Sequence, residues 1–587
     1  MRLTRILAAL GVATAILLLV LAGFSHWWEA PDKSAPFMVV SANPYASEAG
    51  AAMLRKGGSA VDAAIAVQAV LSLVEPESSG LAGGAFMMHY DKASGAIDAY
   101  DGRETAPKGA TPALFLDDDG APLPFLSAMI SGRSVGTPGV VKMLWLAHEA
   151  HGTLPWEVLF KPAIKLATEG FHVAPKLAEA IARDPVLMTM PVARDYFYRM
   201  DANAKRVPVA EGDILKNPAY ANTLKLVAEK GWRGFYEGPV ASGIVMAVQN
   251  APARPGMLSL EDFASYEAKR REPLCAPYRT YRVCSMPPPT SGGLTALQIL
   301  GILENYDLRG MGAMTLTAIH FIAEAEKLAY ADRDKYIGDP DFVDVPVAGM
   351  LDSGYLKSRA DLIDASLSMG KAEAGEPKDE RAMNLGPNQP VDKPSTSHFS
   401  ILDSDGNVVS MTTSVEGPFG SHLMSGGMIL NNQLTDFSFT PEEDGRPVAN
   451  AVAPGKRPRS SMTPVIMFNK DGGFHSAVGS PGGSRIIGYV TQTLIAIVDW
   501  DMDMLGATGL PRFLDRNGAL EIEAGTPLEQ MTPELEQLGH EVEAVTLTSG
   551  LHGILVAPDG LDGAADPRHD GNVVTGLREA AAASADN

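Results

Sequence analysis

The sequence lacks most of the usual arrangements of side chains able to do chemistry. No G-x-G-x-x-G fingerprint, Walker A loop or G-x-S-x-G elbow occurs. His148-Glu149-Ala150-His151 has the wrong spacing for an H-E-x-x-H zinc site and reads as a solvated helix face. Nucleotide binding and the familiar serine-hydrolase routes are therefore poorly supported. The remaining signal lies on glycines, serines and one threonine: Gly482-Gly483, Ser460-Ser461, Ser414 and Thr396. Taken singly these say little. A glycine pair is most often a turn and a serine pair a helix cap. A lone Arg103 is most often half of an ion pair, and Gln433 with Asp436 carries no message.

The elements that must position these residues are legible. Ser47 is a plausible N-cap for a helix closed by Gly57-Gly58. Ser59 opens a second helix, Ala60 to Val74, apolar nearly all round and so expected to be buried. Short strands are expected near Phe86–Tyr90 and Ile97–Tyr100, mostly helix over 135–270, and a long helix over 315–336. Two β-rich runs, 398–402 and 408–414, flank Asp405-Gly406, the pattern of a hairpin. With Asp405-Gly406 as a two-residue loop, paired positions sum to 811. Thr396 then falls opposite about 415, next to Ser414, with Thr412 on the same face. Residues 366–395, rich in Gly, Pro and charge, read as exposed and poorly ordered. The tail from Ala580 is expected to be disordered.

The chain has 587 residues and a net charge of −22. That balance argues against nucleic acid as a partner, because phosphate binding needs clustered Lys and Arg. Two cysteines exclude a disulfide-rich scaffold and a cysteine-built zinc cluster. Arg2 and Arg5 precede an uncharged apolar run, Ile6 to Phe24, followed by Trp27-Trp28. This reads as an export signal, either cleaved or kept as a membrane anchor over residues 1–29. An exported protein can hold a disulfide. A Cys275–Cys284 bridge and two free thiols both remain open.

Pro394-Ser395-Thr396-Ser397-His398-Phe399-Ser400 resembles the processing site of the γ-glutamyltranspeptidase family, N-terminal-nucleophile hydrolases that cut themselves before a threonine. The resemblance runs from about Val39 to about Arg568. It includes Gly58–Ala64, Asp101–Pro107, Met286–Gly293, Asn431–Ser438, Lys456–Met462 and Gly479–Arg485. It implies an α+β fold, a four-layer αββα sandwich, with no metal or organic cofactor. It also implies a large chain, 30–395, and a small catalytic chain, 396–587, that intertwine. Cleavage between Ser395 and Thr396 would free the Thr396 α-amine, of pKa ~8, to serve as base for its own hydroxyl. By the same resemblance, Gly482 and Gly483 give N–H donors to the oxyanion. Arg103 clamps the substrate α-carboxylate, helped by Ser460 and Ser461. Gln433 and Asp436 hold the α-ammonium, and Ser414 orients Thr396. The substrates implied are a γ-glutamyl amide such as glutathione, with water, an amino acid or a peptide as acceptor.

The sequence departs from the family pattern in three places. Glu416 stands where better-known members have asparagine among the groups on the α-ammonium. It could pair with that ammonium, favour another acyl group, or sit in a structural ion pair. Ser397 replaces the commoner threonine. The stretch Phe437 to Val448 is shorter than in members with a long lid and lacks a tyrosine, which implies a more open pocket. These departures keep an acylase of the same fold in play, acting on a glutaryl β-lactam or poly-γ-glutamate, besides a catalytically silent tethered scaffold.

Overall fold

The computed structural model describes residues 36–378, 384–388 and 395–579. The apolar run near the N-terminus and the tail from Ala580 lie outside these. Among the described residues no helix is long and apolar enough to cross a membrane.

Two antiparallel sheets stack face to face. The first has seven strands in the order Asn572–Gly576, Phe37–Ser41, Ser397–Leu402, Val408–Ser414, Gly84–Tyr90, Ile97–Gly102 and Lys269–Arg271. The second has six: Gly560–Ala565, His552–Ala557, Phe474–Gly479, Val465–Phe468, Tyr281–Ser285 and Leu274–Tyr278. Strand alternation sorts the side chains into layers. Phe37 and Val39 face the helices Pro44–Arg55 and Ala60–Val74. Met38 and Val40 point the other way, into a core shared with Ile466, Val478 and Ile554 of the second sheet. Beyond that sheet lie the helices Gly292–Leu303, Leu316–Tyr336 and Ile486–Val498. This is the expected αββα sandwich. Each sheet takes strands from both sides of Ser395.

Local differences from the sequence reading have physical causes. Asn43, not Ser47, caps the first helix: its side chain accepts from the Tyr45 N–H, and Pro44 fixes the first helical turn. Ser59 caps the next with a reciprocal Asp62 box. The hairpin loop is five residues, Asp403–Asn407, rather than two. The Asp403 carboxylate accepts from the backbone N–H of Asp405 and Asn407, and Gly406 takes φ +87°. Ser397 therefore pairs with Thr413, and continuing that register sets Thr396 opposite Ser414 rather than 415. Residues 366–378 are not a loose tether. The Ser368 hydroxyl donates to Glu324 and accepts from Lys327, the Met369 N–H reaches Glu324, and Ala372 exchanges two bonds with Asn517. Cys275 and Cys284, paired across their hairpin, form a disulfide. The His148–His151 face is not solvated either. His151 stacks on His89 with centroids 3.9 Å apart and bonds Asp98 and Tyr100, while His148 bonds the Leu154 carbonyl.

Candidate active site

Thr396 lies at the start of the Ser397–Leu402 strand, at the floor of a cavity of about 390 Å³. The cavity also gathers Arg103, Ser414, Glu416, Gln433, Asp436, Ser460, Ser461 and Gly483, residues drawn from distant parts of the chain. Of the residues singled out in the sequence, Ser395 and Gly482 do not line it. The Gly482 N–H points to the Ser395 carbonyl oxygen at 3.4 Å.

The Thr396 hydroxyl donates to Ser414 Oγ at 3.1 Å. Ser414 Oγ is fixed in turn by the Glu416 N–H at 2.8 Å. Thr412 takes no part: its hydroxyl sits 2.9 Å from His398 Nδ1, one layer deeper. Thr396 is 6% exposed and carries φ +113°. For a β-branched residue that backbone is unfavourable by roughly 1–3 kcal/mol. The strain sits at the residue whose preceding peptide bond is expected to break.

Gly482 and Gly483 follow the Phe474–Gly479 strand and lead into the Ile486–Val498 helix. Their φ values are +136° and +61°. A Cβ at Gly482 would lie 2.8 Å from Tyr489 Cε2. Glycine is thus demanded by both backbone and space. The positive end of the helix adds to the pull on an anion there.

Arg103 ends the Ile97–Gly102 strand and is 1% exposed. It donates to the carbonyls of Pro458 (3.1 Å) and Arg459 (3.2 Å) and pairs with Asp436. Glu104 lies behind it, and burial pushes that carboxyl up to about 8. Gln433 shares a short helical turn with Asp436, and its side-chain oxygen is buried without a partner among the described residues. A cation and a buried acceptor beside an anion make a cradle suited to a zwitterionic α-amino acid head. Ser460 and Ser461 are held from the side. The Ser291 N–H and hydroxyl both donate to the Ser460 carbonyl, and Arg333 donates to Ser461 Oγ at 2.8 Å. Gly292 must be glycine here, since a Cβ would meet Thr463 Oγ1 at 2.1 Å. Arg103→Ala should raise KM for γ-glutamyl donors about a hundredfold, the worth of two charged hydrogen bonds at ~1.5 kcal/mol each. Chain cleavage should proceed as before, and donor titration beside gel analysis checks both.

Two features escaped the sequence reading. Arg333 and Asp334, near the end of the Leu316–Tyr336 helix, line the cavity, and Arg333 braces the serine pair. Nothing in a charged helical stretch marks them. Arg459 joins them through the Arg333 carbonyl and Asp334, and its place in the Lys456–Met462 segment was the available signal. Glu416 also lies on the cavity wall, at φ +82°, and its carboxylate accepts from the Asn432 side-chain amide. None of residues 437–448 lines the cavity. Phe439 stacks away from it on Phe115, centroids 4.6 Å apart. Two clusters of metal-ligand type lie elsewhere among the described residues, His89–Asp98–His151 and His320–Glu324–His540. Each already holds a cation, Arg270 on Asp98 and Lys327 on Glu324, so neither donor set suits a metal ion.

A fold of stacked sheets with a threonine poised beside its own peptide bond defines the N-terminal-nucleophile class. The comparisons narrow it. The Gamma-glutamyltranspeptidase family model matches residues 46–576. The glutathione hydrolase proenzyme of Bacillus subtilis (strain 168) is 40% identical over 512 residues, covering 86% of this chain and 85% of that protein. The glutathione hydrolase proenzyme of Escherichia coli (strain K12) is 38% identical over 561 residues, 93% of each chain. The crystal structure of cephalosporin acylase from Bacillus halodurans matches with a TM-score of 0.80 at 28% identity, over 93% of this chain and 97% of that one. The chain belongs to the γ-glutamyltranspeptidase family. It is a γ-glutamyl hydrolase and transpeptidase of the N-terminal-nucleophile type.

Proposed function

We propose that the chain cuts itself between Ser395 and Thr396 and then carries a γ-glutamyl group on the Thr396 hydroxyl. The donor is glutathione or a related γ-glutamyl amide, and the acceptor is water, an amino acid or a short peptide. The observation that carries this reading is the meeting of three groups: Thr396 Oγ1 bonded to Ser414, the Ser395 carbonyl, and the Gly482 N–H aimed at that carbonyl. The same arrangement serves both reactions. In the first, Oγ1 adds to the Ser395 carbonyl carbon, the peptide C–N bond breaks, and the hydroxyl proton ends on the Thr396 nitrogen. Water then hydrolyses the resulting ester. In the second, the freed amine takes the hydroxyl proton while Oγ1 attacks the γ-carbonyl, Gly482 and Gly483 stabilise the oxyanion, and the γ-amide C–N bond then breaks as that proton passes to the leaving amine. Arg103, Ser460 and Ser461 hold the α-carboxylate. Asp436, Gln433 and Glu416 hold the α-ammonium. The large chain would end at Ser395, and residues 1–29 would direct export, either as a cleaved signal or as a membrane tether.

A second reading has one observation in its favour. The cephalosporin acylase of Bacillus halodurans shares the fold over nearly its whole length. Only a γ-glutamyl donor carries the α-ammonium, so γ-glutamyl and glutaryl anilides compared side by side separate the two. Faster turnover of the glutaryl compound would replace the first reading with the second. Glu416→Asn should lower the γ-glutamyl to glutaryl ratio of kcat/KM by about tenfold, the worth of one charged contact to the α-ammonium at ~1.4 kcal/mol. An unaltered ratio would remove Glu416 from donor selection.

A further inference from the structure

Both flanks of Thr396 are tied to one short turn that no catalytic role accounts for. Glu75 ends the Ala60–Val74 helix and Pro76 stops it. The turn that follows is closed by the Ser78 and Ser79 N–H groups on the Glu75 carbonyl. Before the nucleophile, the Ser395 hydroxyl donates to the Glu77 carbonyl at 2.7 Å. After it, the Ser397 hydroxyl donates to the Glu75 carboxylate at 2.8 Å. The neighbouring strand is tied to the same place. The Val415 N–H reaches the Ser78 carbonyl at 3.2 Å and the Phe419 N–H reaches the Glu77 carbonyl at 3.1 Å. Val415 adjoins Ser414, the residue that receives the Thr396 hydroxyl. One turn therefore fixes the residue before the scissile bond, the residue after it, and the strand end that orients the nucleophile.

Resting on the reading that the chain cleaves itself before Thr396, we propose that Glu75 is a positioning residue for that cleavage: its carboxylate grips Ser397 while the Glu77 carbonyl grips Ser395, and together they hold Thr396 at positive φ with the Ser395 carbonyl turned to the Gly482 N–H. Thr396 is pinned at both ends, which is what keeps a β-branched residue at φ +113°. Were either flank loose, the backbone would relax to the extended region that the following strand already occupies. The carbonyl would then swing off the Gly482 donor, and Oγ1 would lose its line to the carbonyl carbon.

The surroundings make the grip sensitive to charge. Glu75 is buried. The charged groups facing it are Glu77, Asp570 and Lys176. Burial, abetted by Asp570 and opposed by the Ser397 bond and Lys176, pushes the Glu75 carboxyl up to about 7. Glu77 is driven up in the same way, chiefly by burial and then by Glu75. Below that range Glu75 gains a proton and the Ser397 hydroxyl loses a charged acceptor. Above it the carboxylate holds the hydroxyl with a charge-assisted bond. Cleavage should therefore slow as pH falls through about 7.

The test follows the rate at which freshly purified, uncleaved full-length chain becomes two chains, from pH 5.5 to 8.5. Wild type should lose rate as pH falls. Glu75→Gln keeps the shape and loses the ionisation. It should cleave about tenfold more slowly at high pH, the size expected for one displaced contact in a near-attack geometry, and its profile should be flat where wild type bends. Ser397→Ala removes the same bond by deleting one oxygen and should slow cleavage likewise, which keeps the proposal testable if Glu75→Gln does not fold. Ser397→Thr retains the hydroxyl and should restore the rate. Should Glu75→Gln and Ser397→Ala both cleave within twofold of wild type with the same pH profile, the positioning role is overturned. Wild-type chain that is never cut before Thr396 overturns instead the reading on which it rests.

Discussion

Thr396→Ala should leave one unbroken chain and no measurable turnover of a γ-glutamyl anilide. Wild type should give two chains, the smaller being residues 396–587, which is 587 − 395 = 192 residues. Two losses coincide in this variant. Without Oγ1 nothing attacks the Ser395 carbonyl, so the Thr396 amine stays locked in a peptide bond. Without that amine there is no base, and without the hydroxyl no nucleophile, so no acyl ester forms. The effect should be all-or-none because both functions need the same oxygen. Thr396→Ser sharpens the point, since it returns the hydroxyl without the methyl. It should cleave and turn over, at reduced rates, because a side chain without β-branching is less confined in χ1. Intact mass before and after a day's incubation, beside anilide turnover, reads both variants. A Thr396→Ala chain that still splits before residue 396 would assign the nucleophile elsewhere.

How much of this was open to a sequence reader depends on the range of the interaction. Capping is local, so Ser59 and the buried Ala60–Val74 helix could be read directly, and so could the helix over 315–336. The hairpin that carries Thr396 was legible as a hairpin, but its register was not. Asp403 closes a wider loop through its own side chain, and that shifts every pair by one. Asn43 outcompeted Ser47 because a proline after the cap fixes the turn, a preference of one position over its near neighbour. Residues 366–378 misled for a different reason. Their composition is that of a linker, yet Glu324 and Asn517, remote in sequence, supply the bonds that hold them. The same holds at the cavity. The motif residues were found through family resemblance. Arg333 was not, because only the folded chain brings its guanidinium to Ser461.

Gly482→Ala should impair both reactions, and by similar factors. Its N–H is directed at the Ser395 carbonyl in the uncut chain, which is where an oxyanion would form in the proposed self-cleavage. On the proposed mechanism the γ-carbonyl of the donor takes the place of that carbonyl after cleavage, and the same N–H meets the new oxyanion. The donor is exacting because of its backbone. At φ +136° an L side chain is strained, and the added Cβ would press on Tyr489 at 2.8 Å. Tyr489 is buried within the Ile486–Val498 helix and cannot yield cheaply, so the peptide plane must rotate instead. A misdirected oxyanion donor weakens transition-state stabilisation by ~3 kcal/mol, about a hundredfold in rate. If Arg103 and Asp436 hold the substrate's α-carboxylate and α-ammonium as proposed, KM should change little and the loss should fall on kcat. Steady-state kinetics on the fraction that does mature, together with the rate of maturation, gives the two factors independently. A variant slowed only in turnover, with cleavage at the wild-type rate, would mean that the Gly482 N–H serves the donor carbonyl alone.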